Sequence, residues 1–134
     1  MKIKGVVVAV ALGVVFLAGF VPQYAKVNRL DTELRQVRQQ NISAELRDLV
    51  GLAYVQANQK NYGSAAGSTT RFFNRVREVS NQTSDANAKK IYEDLLISRD
   101  KITAELAKGD AGVVSDLQDL FLKTRKVTGA SGEQ

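Results

Sequence analysis

The chain has 134 residues, 19 basic and 14 acidic side chains, a formal charge of +5, and neither cysteine nor histidine. That length holds one small domain beside a short accessory segment. Missing cysteine removes disulfides and thiolate sites, and missing histidine removes the usual base near neutral pH, the commonest metal ligand and histidine-based triads.

The first element is an apolar run, Gly5–Val21, without a charged or polar side chain and flanked by Lys2 and Lys4 before it and Lys26 and Arg29 after it. Its length, about 25 Å as a helix, is near the short end of what spans a bilayer. A cleaved signal peptide is the rival reading. It is disfavoured because the run exceeds an ordinary h-region and because cleavage after Ala25 would put Gln23 where a small residue is wanted. Residues 1–22 are therefore expected to form a single transmembrane helix, retained as a signal anchor. Gly5, Ala9 and Gly13 repeat every four residues and make a packing face for another membrane helix. The expected setting is a bacterial-type inner (cytoplasmic) membrane. Lys/Arg counting on the two sides gives no clear orientation, and the common short-tailed arrangement puts the C-terminal domain in the periplasm.

Residues 23–42 read as an amphipathic stalk. Pro22 and Tyr24 stand at the membrane exit. Val27, Leu30, Leu34 and Val37 then recur at spacings of three and four, an a/d stripe of about two heptads. Gln39-Gln40-Asn41 ends the stripe, with Asn41 or Ser43 placed to cap a new helix.

Residues 43–128 read as a small antiparallel bundle of four helices. The first covers about Ser43 to Lys60, with Leu46, Leu49, Val50, Ala53 and Ala57 inward. The second covers about Ser64 to Ser80, with Ala65, Thr69, Phe72, Phe73, Val76 and Val79 inward. The third, capped by Ser84, runs to about Lys108 with Ala88, Ile91, Leu95, Ile102 and Leu106 inward. Gly109 is its C′ residue, and Asp110 caps a fourth helix carrying Val113, Val114, Leu117, Leu120, Phe121 and Val127. Phe72, Phe73, Leu95 and Phe121 form the expected centre. Residues 129–134 read as a flexible tail. The fold class is all-α.

No catalytic, cofactor-binding or metal-binding residues are assigned, and no enzyme activity is expected. Carboxylates three apart, Asp116/Asp119 and Glu45/Asp48, are the only candidate acid–base or cation-binding pairs, and they read as ordinary exposed charges. No glycine-rich phosphate loop, calcium loop or activated serine is present. There is no dense basic run, glycine-aromatic RNA signature or zinc finger, so no nucleic-acid partner is expected.

The hairpin Leu49–Val79 resembles one tetratricopeptide-type unit. Leu52-Ala53 stand for the Leu and small residue of its first helix, and Tyr62-Gly63-Ser64-Ala65 for the aromatic three residues before an alanine. It departs at Thr69, where an aromatic is usual, and in lacking a closing proline. More broadly, the order of anchor, stripe Leu30–Val37, Tyr62–Ala65 turn and segment Lys108–Leu117 resembles the soluble part of HemX-type membrane proteins, often labelled uroporphyrinogen-methylase-like. The resemblance implies a helical interaction module and no methyl transfer, since no glycine-rich cofactor loop is present.

The sequence thus points to a non-enzymatic single-pass membrane protein serving as an accessory, assembly or scaffold subunit. Its partners would be other membrane-complex subunits, a second copy of itself, and the lipid bilayer. No cofactor is implied. The alternative is a ligand-sensing or ligand-binding periplasmic bundle.

Overall fold

A computed structural model describes residues 2–129, apart from the side chains of residues 2, 13 and 16–24. The described residues are all-helical: α1 (Lys2–Asn58), α2 (Tyr62–Gln82), α3 (Ala86–Leu96), α4 (Arg99–Lys108) and α5 (Val113–Gly129). Two compact units are distinguished, Met1–Gln39 and Gln40–Gln134. The expected tail falls largely on residues 130–134, outside the described residues.

In the first unit, the described side chains of α1 are exposed on every face up to Arg38. Among the described residues, no helix is long and apolar enough to cross a membrane. The described side chains of the apolar run stop at Val15. The fold itself therefore establishes a helix here and not a membrane span.

The second unit holds the core. Ile42, Leu46, Val50, Ala53 and Ala57 repeat at three- and four-residue spacing and bury one stripe of α1. On α2 the buried stripe is Ala65, Phe72, Phe73, Val76 and Val79, joined by Ser68, Thr69 and Ser80. Phe72 and Phe73 meet edge to face, with centroids 5.2 Å apart and planes at 70°, the arrangement that brings a positive ring edge to a negative face. Tyr92 and Leu95 of α3, Ile102 and Leu106 of α4, and Val113, Leu117 and Leu120 of α5 complete the core. Each large side chain that is fully buried contributes roughly 1.5–3 kcal/mol through area removed from water. Helix α2 packs against α3 and α4, and α5 against the same two.

Polar contacts fix the pairing. Arg75 reaches Glu45, and Ser68 donates to Gln56 at 2.8 Å. Those residue numbers run in opposite senses, so α1 and α2 are antiparallel within this unit. Lys123 Nζ donates to the Asp94 carbonyl and ties α5 to α3. An ideal Cβ built on Gly51 comes 3.3 Å from the Phe121 ring, so the missing side chain lets α5 approach α1 closely.

Three boundaries differ from the sequence reading. The expected break at Gln39–Asn41 is absent, because Gln and Asn are tolerated inside a helix and Ile42 and Ser43 are already buried. The expected third helix is divided instead. Ser98 has ψ near −5°, and its hydroxyl donates to the Leu95 carbonyl at 3.4 Å, a side-chain bond that competes with the helical ladder. The cap of α3 is Asp85 rather than Ser84: the Asp85 carboxylate accepts from the Asn87 N–H at 2.9 Å. Asn61 caps α2, accepting from the Ser64 N–H.

Within the core, Ile91 is exposed and Tyr92 takes the inward position. Phe121 is half-buried and packs against the cluster from its rim, whereas Phe72, Phe73 and Leu95 are buried.

Candidate interaction surfaces

Among the described residues, two clusters of ion-paired side chains sit on the second unit. On the α1–α2 face, Arg75 makes 2.8 Å ion pairs with Glu45 and with Glu78. Hydrogen bonding to Glu78, the largest influence, and to Glu45 raises the affinity of the guanidinium for its proton against the effect of burial. These three residues line a shallow groove of about 330 Å³ with Leu49, Arg71 and Asn74. Glu45, read from sequence as a neighbour of Asp48, instead serves the facing helix.

The second cluster joins α4 to α5. Lys101 Nζ lies 2.7 Å from Asp116 Oδ2 and 3.7 Å from Glu105 Oε1. Glu105 Oε2 is buried and has no hydrogen-bond partner among the described residues. Two carboxyl groups facing each other supply no donor unless one holds a proton. The proton affinity divides accordingly. The hydrogen bond that a protonated Glu105 would donate to Asp116, then burial, raises the Glu105 carboxyl above its ordinary range. Hydrogen bonding to Lys101 holds Asp116 below its own. Asp110, in the turn, adds a charge that also raises Glu105. Its own carboxylate is engaged with the Gly112 N–H at 2.8 Å. Sequence spacing pairs Asp116 with Asp119 on one helix, whereas in the fold the partners of Asp116 come from α4.

The first unit holds the residues singled out from sequence. Gly5 and Ala9 are exposed on α1, and a Cβ at Gly5 would meet nothing within 4 Å. Gly13 lies outside the residues whose burial is described. Val27, Leu30, Leu34 and Val37 are 62%, 58%, 65% and 54% exposed. They form one continuous apolar line, because α1 is helical throughout their range. Around them, Arg29 bridges to Glu33 one turn on at 3.3 Å, and the Thr32 hydroxyl donates to the Asn28 carbonyl.

Of the tetratricopeptide-like positions, Ala53 and Ala65 are fully buried, Tyr62 is half-buried against Gly109, and Leu52 is exposed. Thr69, at the position where an aromatic is usual, is buried, and its hydroxyl has no hydrogen-bond partner among the described residues. No protein-family model, curated protein or solved structure matches the chain.

Proposed function

We propose that the chain is a non-enzymatic, single-pass membrane protein that works as an accessory, assembly or scaffold subunit through helix–helix contacts. Residues 1–22 anchor it, and the helical bundle meets its partners on the periplasmic side of a bacterial-type inner membrane. The observation that carries this reading is the exposed apolar surface at the start of α1. Ile3, Val6, Val7, Val8, Val10, Leu12, Val14 and Val15 are all largely bare. A helix apolar on all sides needs either a protein core or lipid around it. The sequence stays uncharged through Val21, and with those residues the run reaches bilayer length.

The Gly5/Ala9/Gly13 face then serves as the contact with another membrane helix, since small residues allow close backbone approach where water supplies no driving force. The alternative, a ligand-holding bundle, has the Arg75 groove in its favour. That groove is shallow, and its central arginine is already neutralised by two carboxylates.

Full-length protein expressed in a bacterial membrane should float with vesicles after alkaline carbonate washing and retain Met1–Lys4 by N-terminal sequencing. Solubilised gently, it should migrate in native gels with larger partners. A product that begins near Lys26 and stays in the supernatant overturns the anchor. A tethered chain that migrates alone overturns the subunit role.

A further inference from the structure

The stripe Val27–Val37 carries its own description of what covers it. With Val27 and Leu34 at a and Leu30 and Val37 at d, the flanking e positions are Asp31 and Arg38, and the g positions are Lys26 and Glu33. In a parallel, in-register pair of helices, each g residue faces the e residue of the following heptad on the other strand. Lys26 then meets Asp31, and Glu33 meets Arg38. Both contacts join opposite charges, and two-fold symmetry repeats each on the other side. Arg29 already lies beside Glu33 on the same strand, and a carboxylate has room to accept from both cations.

The antiparallel arrangement that covers the same four apolar residues has the opposite electrostatics. Its two-fold axis crosses the stripe near Thr32, so Asp31 lies beside its twin on one flank and Glu33 beside its twin on the other. Like charges so placed disfavour that pairing.

We infer that the stalk binds a second copy of this chain as a parallel, in-register two-stranded coiled coil, with Val27, Leu30, Leu34 and Val37 at the seam and Lys26–Asp31 and Glu33–Arg38 pairs along its edges. Two heptads pair weakly alone. The inference therefore rests, for its strength, on the proposed anchor, which holds copies on one bilayer at high effective concentration and pointing the same way.

The absence of native cysteine makes a direct test available. Leu30→Cys, Leu34→Cys and Thr32→Cys are made singly in the full chain, reconstituted in phosphatidylcholine vesicles and oxidised mildly. The parallel register brings like positions together, so Leu30→Cys and Leu34→Cys each form a disulfide dimer, while Thr32→Cys, on the outer face, forms little. In the Leu30→Cys background, Glu33→Lys loses most of the dimer, and Glu33→Lys with Arg38→Glu recovers it. Equal yields at all three positions, or a dimer indifferent to Glu33→Lys, overturn the inference. So does a disulfide that forms only when Leu30→Cys and Leu34→Cys chains are mixed, which is the antiparallel result. Vesicle flotation of the same samples reads the anchor separately. A chain that floats without crosslinking defeats the coiled coil alone. For a chain that does not float, the same disulfides are read in solution at high protein concentration, and they decide the pairing without the bilayer.

Discussion

Lys60 and Gly109 occupy the same position in the same motif with different chemistry. After α1, the Asn61 N–H bonds to the Gln56 carbonyl and the Lys60 N–H to the Ala57 carbonyl; after α4, Asp110 and Gly109 repeat this on Glu105 and Leu106. Both residues have φ of 63°, the left-handed conformation that closes a helix in this way. Glycine reaches it freely, whereas a side chain crowds the backbone, at a cost of roughly 1–2 kcal/mol. Lys60→Gly should therefore raise stability by about 1 kcal/mol, and Gly109→Ala should lower it by about 1 kcal/mol, in urea unfolding. The Tyr62 ring lies 3.5 Å from the Cβ that Gly109→Ala introduces, an ordinary contact, so that loss is conformational rather than steric. A lysine at such a position gives no sequence signal, and only Gly109 of the two was legible. Thr69 makes the complementary case. Its Oγ1 is buried without a partner among the described residues, and a hydroxyl left so costs about 1–3 kcal/mol in desolvation. Thr69→Val keeps the branched shape and removes that cost, so its urea midpoint should rise. A lowered midpoint would mean that the hydroxyl holds a water bridge.

Among the elements, apolar spacing marked the α2 face correctly because six inward positions recur at three and four residues and all six are buried. It failed at Ile91, where a neighbouring tyrosine offered a larger apolar surface, and between α3 and α4, where no glycine or proline announced the break. The contacts between elements were the least legible. Glu45–Arg75 and Asp116–Lys101 join residues thirty and fifteen positions apart, and no local pattern encodes such pairs. The α4–α5 cluster nonetheless has a pH signature. Because folding raises the Glu105 carboxyl, the native state binds that proton more tightly than the unfolded chain. Stability is gained as pH falls from neutral through the raised value. Because folding lowers Asp116, its contribution is present above its ordinary range and lost at still lower pH. Glu105→Gln places an amide donor where the proton would sit. The variant should be the more stable protein at pH 7, and its midpoint should no longer rise between neutral and mildly acidic pH. Equal slopes for the two proteins in that window would show that the carboxyls do not share a proton.

For the molecule as a whole, the division at Gln39/Gln40 makes a claim about cooperativity. Among the described residues, every member of the buried cluster lies at or beyond Ile42, so the apolar burial they contribute against chain entropy is contained in the second unit. A protein beginning at Gln40 should then unfold in one cooperative transition. Phe72 provides the quantitative form of the test. It is fully buried on α2, and truncation of such a side chain costs roughly 3–5 kcal/mol through lost transfer energy and the cavity left behind. Distant sites that share no partners add in their effects on stability. Phe72→Ala should therefore cost the same in the shortened protein as in the full chain, read by circular dichroism in urea. A markedly smaller cost in the shortened protein would mean that its core had loosened without residues 1–39, and that the bundle depends on the segment that precedes it. Equal costs leave the first unit free for the two tasks proposed for it, holding the bilayer and pairing with a twin, because neither draws on the interactions that keep the bundle folded.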